Sequence, residues 1–265
     1  MASYRYQDLD APAWSADQLP RVYGAGDFVR RDLQSFAGDL WFMIHKGGFR
    51  AEIEAATVIG RIGDATNQPG VSLRQAVTST QWGGVASLAY SFKLPIRLRV
   101  EVGVASGDDA PGFGVRFPAG QLTTQKGDLD GPQLRPPADN TVDNFRFNPD
   151  YHVDLILWRR IIGQVTDAVY VRPSLRAGPF GSVNHHIVLE AAVITSEAIY
   201  ATSPPGQANH LGVELDLAAR YRYEHGFETW LTWGLFFPGD GFRNLELNLQ
   251  PKPAQALELI LAYRI

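Results

Sequence analysis

Apolar and polar residues alternate strictly along this chain, and they do so over segments longer than ordinary soluble strands. In LPIRLRVEVGVAS (94–106), Ile96, Leu98, Val100, Val102 and Val104 share one face, and Arg97, Arg99, Glu101 and Gly103 share the other. HLGVELDLAARYRYE sets Leu211, Val213, Leu215, Leu217, Tyr221 and Tyr223 against Glu214, Asp216, Arg220 and Arg222. FRAEIEAATVIG and AQALELILAYRI repeat the pattern, with Arg50, Glu52 and Glu54 in the first and Glu258 and Arg264 in the second on the polar side. A two-residue period is the signature of a β-strand with one apolar face. Soluble strands run about five or six residues, whereas a tilted strand needs about ten to cross a bilayer. The alternation therefore predicts an all-β fold of long strands.

Strands are expected near 3–8, 39–46, 49–63, 71–91, 94–106, 167–177, 184–200, 209–224, 227–238 and 253–265. Tight connections (45–48, 91–95, 176–182, 224–226) alternate with longer ones, two of them very long, near 9–38 and 107–166. Short turns on one side and long loops on the other are the asymmetry of a transmembrane β-barrel. A soluble barrel or sandwich would also alternate. Three features favour lipid: dense paired charges on the polar faces, aromatics near strand ends, and alternation that continues to the last residue. The aromatics are Tyr4, Tyr6, Trp41, Tyr90, Tyr221, Tyr223, Trp233 and Phe237, read as interfacial girdles.

Strand parity settles how to read the most apolar run, VDLILWRRII (153–162). With both termini on one side of the membrane the strand count must be even. Counting that run as a strand gives eleven; leaving it out gives ten, with twelve the next even number. The alternation also fails there, because 155–158 is continuously apolar. The spacing predicts a short helix over 151–162, capped near Asp150 after Pro149, with Asp154 in its first turn, Arg159 and Arg160 in its last, and Gly163 as the stop. It lies in the long outer loop, packed on the barrel mouth or folded inward. Asp150, His152, Trp158, Arg159 and Arg160 are then candidates for a gate.

The composition is compatible with this and excludes several function classes. Net charge is −4, which offers no basic footprint for nucleic acid. There is no cysteine, hence no disulfide framework and no thiolate metal site. No apolar window is long enough for a transmembrane helix, and MASYRYQDLD reads as the start of a mature chain rather than as a signal peptide.

The series VGVASGDDAPGFG, FRFNPDYHVDLILWRRIIGQVTDAVYVRPSLR, LGVELDL and GLFFPGDGF resembles an uncharacterised family of outer-membrane β-barrels from myxobacteria and related bacteria. More distantly, FRFNPDYH…DAVYVRPSLR resembles the alginate-export porins, in which an outer-loop segment with a histidine also precedes a strand ending in a basic–proline pair. The resemblance covers most of the chain and implies a bacterial outer-membrane location. Members of that family are longer, so a single domain over 1–265 fits a C-terminal portion or trimmed form of a larger barrel. Such barrels usually end in an aromatic residue, whereas this chain ends in Ile265.

The polar faces carry the strongest candidate for function. They bring Arg50, Arg97, Arg99, Arg172, Arg176, Arg220, Arg222 and Arg264 together with Glu52, Glu54, Glu101, Glu190, Glu214, Asp216, Glu228 and Glu258. Lining a lumen, these would select ions or small polar solutes. In a narrow barrel they would instead form a charge lattice that fills it. Small inward residues (Gly103, Gly212, Ala218, Gly234) leave room for passage. Ten-stranded omptin proteases carry Asp-x-Asp and Asp-x-His pairs at their rim, and Asp128-Leu-Asp130 and Asp150-Tyr-His152 are similar. Both pairs fall in one loop, so catalysis is not expected. SGDD, GDLDG and PGDG are read as turns rather than calcium loops. His185 and His186 are adjacent and face opposite sides of a strand. The expectation is a porin-like channel without cofactor or metal, a monomer whose partners are lipid (or detergent) and small solutes. A closed structural or adhesive barrel is the alternative.

Overall fold

The computed structural model describes residues 1–10, 28–64, 76–109, 141–224 and 226–263. They form ten strands: β1 (Ala2–Asp10), β2 (Val29–Lys46), β3 (Phe49–Ile62), β4 (Val77–Ser91), β5 (Ile96–Ala105), β6 (Ala168–Ser182), β7 (His185–Ala198), β8 (His210–Tyr223), β9 (Phe227–Pro238) and β10 (Ala254–Tyr263). Each strand pairs antiparallel with the next in chain order, from β1 to β10. The ladder is not closed, since β1 and β10 do not pair. No helix among the described residues is long and apolar enough to cross a membrane.

Register turns the alternation into two surfaces. Phe42 pairs with Ile53, Ile53 with Ala86, Ala86 with Val102 and Val102 with Val171, so an apolar belt runs across β2 to β6 on one face. Leu189, Ala219, Leu231 and Leu259 continue it across β7 to β10. Phe42, Ile53, Leu98, Leu189, Leu231 and Leu259 are all exposed. The other face is concave, because strands from β4 to β10 all touch a single segment lying inside it. That inner segment, between β5 and β6, supplies the middle of the buried core: its Phe147, Val153, Ile156, Leu157, Trp158 and Val165 pack against Ala105, Tyr170, Ile194, Leu211 and Phe236.

The structure moves several expected boundaries. β2 begins ten residues before position 39, inside the stretch read as a loop. In VRRDLQSFAGD apolar residues are sparse, and Asp32 at φ +42° breaks the two-residue register. Among the described residues β4 runs from Val77, and the expected start at 71 lies outside them, with positions 65–75. β6 runs through RAGPFGS to Ser182, so the turn is Val183–Asn184 and not 176–182. The exclusion of 151–162 from the strands holds, but the helix there is a single π-helical turn, Leu157–Ile162. Ile161 N donates to Ile156 O at 3.0 Å, the five-residue step of that geometry. Asp150 does not cap it: that residue sits in an exposed turn, its amide donating to Asn148 Oδ1 at 2.9 Å. Arg159 and Arg160 do lie in the last turn, and Gly163 ends it at φ +99°.

Candidate functional site: a charged interior and its plug

Residues 141–166 fold inward along the concave face, so the segment read as an outer loop is a plug. Thr141 bridges Thr78 at its start, and Ser79 Oγ donates to Val142 O at 2.6 Å. Phe145 lies on Gly83, where an added Cβ would come within 2.3 Å of its ring. Phe145, Phe147 and Tyr151 then stack edge to face, with centroids 6.0 and 5.8 Å apart.

One carboxylate takes three of the plug's backbone amides. Glu214, on the inner face of β8, accepts the amides of Leu155 (2.9 Å), Ile156 (2.8 Å) and Leu157 (3.0 Å). Those amides therefore cannot bond to carbonyls four residues back, which is why no α-helix forms over 151–156. Asp154 does what Asp150 was expected to do, accepting Trp158 N at 3.0 Å and Arg159 N at 3.2 Å. Trp158 Nε1 donates to Ser196 Oγ of β7 at 3.1 Å. Arg159 (3.3 Å) and Arg160 both reach Glu258 of β10. Three strands thus hold one segment through buried or charge-assisted bonds, which are stronger than neutral ones.

Two of the small inward residues, Gly103 and Gly234, are sockets rather than open lumen, whereas Ala218 does line a cavity. A Cβ on Gly103 would lie 2.1 Å from Tyr170 Cε1, and one on Gly234 would lie 3.1 Å from Leu155 Cβ. Tyr170 fills its socket and donates to Glu101 Oε1 at 2.8 Å, while Arg99 Nη2 pairs with Glu101 Oε2 at 2.6 Å. Gly212 takes φ +132°, and the register shifts between Ser196 and Glu197. Leu211, expected on the apolar outer face, is consequently buried in the core. Trp41 also changes sides: it pairs with Glu54 and donates to Glu52 Oε1 at 2.9 Å, so it belongs to the inner face and not to an outer girdle.

The other charged residues separate into groups. Arg97, Arg99, Arg172, Arg176, Glu190 and Asp216 line one cavity of about 320 Å³, with His152, Asp154 and Arg159 of the plug at its edge. Arg220 and Arg222 line a second cavity with Arg176 and His186, and Arg220 pairs with Glu228. Glu54 lines a third beside Phe145 and Tyr151. Arg50 pairs with Glu52 at 2.7 Å. Arg264, Asp128 and Asp130 lie outside the described residues. His185 stacks on Tyr223 at 4.8 Å, while His186 Nε2 lies 3.4 Å from Glu224 across the strand. Among the described residues no group of three or more His, Asp and Glu side chains is placed to hold a metal ion.

Two carboxyls outside the strands are pushed up to about 7. Burial is the larger cause for Asp154, and the nearby charge of Glu214 adds to it. For Asp167, just before β6, burial dominates against the opposing hydrogen bonds from Ser203 and the Tyr200 amide.

Sequence reasoning missed the role of Glu214, Ser196 and Glu258 as plug holders. The available signal was the continuously apolar 155–158, which has to be buried somewhere other than on a two-faced strand. Comparison with protein-family models and with curated proteins returns no match.

Proposed function

We propose that this chain is a bacterial outer-membrane β-barrel in which the ten-stranded sheet closes on itself and the charged interior passes ions or small polar solutes. The observation that carries this reading is the two-faced sheet. An exposed apolar belt crosses every strand from β2 to β10, and the opposite face carries the charged residues and curls around the plug. An exposed apolar surface of that extent needs a lipid or protein cover. The alternating short and long connections support the same reading, with the long ones outside the cell. Its partners are the bilayer and its solutes, it acts as a monomer, and it performs no covalent chemistry. Membership of the uncharacterised outer-membrane family that the sequence resembles belongs to this proposal.

In this reading the plug, rather than a loop over the mouth, is the gate. It covers the inner faces of β4 to β10, while Trp41 and Met43 on β2 remain exposed. Purified protein in planar bilayers is expected to give discrete current steps, several-fold larger when 144–163 is removed or when Glu214→Gln loosens the plug. No current from any of the three sinks the channel. The second reading, a closed structural barrel, is favoured by how completely Trp158, Leu157 and Tyr170 are buried, and silent bilayers would leave that one standing.

A further inference from the structure

The cavity on the far side of the plug, toward the tight turns, has an unusual wall. It is lined by five arginines (97, 99, 159, 172 and 176) and three carboxylates (Asp154, Glu190 and Asp216). Most of these are already engaged. Arg99 pairs with Glu101 at 2.6 Å, Arg159 with Glu258 at 3.3 Å and Arg176 with Glu190 at 3.4 Å. Asp154 is occupied by the amides of Trp158 and Arg159. Arg97 and Arg172 form no ion pair among the described residues, although Arg172 lies near enough to Asp154 and Asp216 to act on both carboxyls.

The register makes this arrangement costly without a ligand. Arg97 stands directly opposite Arg176 across β5 and β6, and like charges so placed destabilise a sheet. Arg172 Nε is buried and meets no hydrogen-bond partner in the protein, and the same holds for Thr232 Oγ1 and for one acceptor, Asp216 Oδ1, on the cavity wall. Buried polar atoms are almost always bonded, so an orphaned guanidinium donor beside a cavity calls for an acceptor. Guanidinium groups match planar or tetrahedral oxyanions in geometry and charge. At about 320 Å³ the space suits a solute of a few heavy atoms.

We propose that Arg97 and Arg172, with Thr232 as a neutral donor, form a binding site for a small oxyanion-bearing solute, a carboxylate or a phosphate, reached from the tight-turn end. The inference deepens the channel reading, on which it rests for the solute's route. Binding itself needs no current.

The test is calorimetric titration of sodium succinate, inorganic phosphate and neutral succinamide into detergent-solubilised protein at low salt, where screening is weakest. Wild-type protein is expected to give a saturable one-site isotherm with succinate or phosphate and none with succinamide. Arg97→Gln and Arg172→Gln each weaken it about tenfold, the loss that follows from removing one charged hydrogen-bond donor. Arg97→Lys keeps the charge without the fork and falls between wild type and the glutamine variant. Arg61→Gln, whose side chain pairs with Asp32 away from the cavity, changes nothing. The band shift of unheated protein on denaturing gels checks that each variant is folded. No saturable heat with either anion, equal binding of succinamide, or wild-type affinity in folded Arg97→Gln and Arg172→Gln overturns the site. A protein that binds succinate but carries no current keeps the site and loses the channel; one that conducts without binding does the reverse.

Discussion

The inner wall of the sheet has two halves, built from the same residue types and differing in what covers them. On β5 and β8 the plug leaves Glu101 only 3% and Glu214 only 1% exposed. On β2, Trp41 is 56% and Met43 38% exposed, and Glu54 on β3 is exposed beside them. Under the plug Glu101 and Glu214 are each matched to particular donors, because an unpaired charge out of water costs several kcal/mol. On the open half ion pairs such as Arg50–Glu52 remain solvated, where such contacts contribute about 0–1 kcal/mol. One sequence pattern therefore serves two physical purposes, and coverage decides which.

The largest expected contrast lies between two glutamates. Glu214→Ala strands three buried amides and is expected to cost about 3 kcal/mol or more, read as a shift in the urea unfolding midpoint in micelles. Glu54→Ala, on the open half, is expected within about 0.5 kcal/mol. Equal losses would erase the division. Next come two glycines. Gly103→Ala forces Tyr170 off Glu101 and is expected to cost about 2 kcal/mol. Gly38→Ala on β2 meets its nearest atom only at 3.4 Å and is expected to be near neutral by the same midpoint measurement.

The pH dependence sharpens the contrast in a different way. Asp154 faces Glu214, Asp216 and Arg172, and its carboxyl is raised from 3.8 to about 7, first by burial. The folded state then holds a proton that the unfolded state has lost. Its stabilisation is greatest near pH 4 and falls as pH rises to about 7. Limited proteolysis within 144–163 should be slower at pH 5 than at pH 8, and Asp154→Asn should flatten the difference. Proteolysis that accelerates toward acid would contradict the assignment. The smallest contrast is between two indoles. Trp158→Phe loses a buried bond to Ser196 and is expected to cost about 1 kcal/mol, whereas Trp41→Phe loses an exposed one to Glu52 and costs a few tenths.

The strand number was legible because burial on one face forces a period of two, and VDLILWRRII stood out by breaking it. What the alternation could not carry was a third dimension. Glu214 and Arg220 sit on the same face of β8 and look alike in sequence, yet one meets the plug and the other pairs with its neighbour Glu228. Gly103 and Gly234 read as space because nothing along their own strands says that Tyr170 or Leu155 will fill it. The four strand arginines of the cavity (97, 99, 172 and 176) were identified as inward, but their division into paired and unpaired members depends on distances across strands. Strand ends were lost where outward apolar residues gave out, as in β2 before position 39.

The plug also orders events in time. Leu157 is bound by a residue 57 positions later and Arg160 by one 98 positions later. When the plug leaves the ribosome these holders have not been made, and its footing on the strands already made lies mainly along β4, where Thr78, Ser79, Thr80 and Gly83 meet residues 141–145. The segment must therefore wait, unhoused, until β8 and β10 arrive. Docking of the most apolar stretch of the chain therefore reports that β8 and β10 are in place.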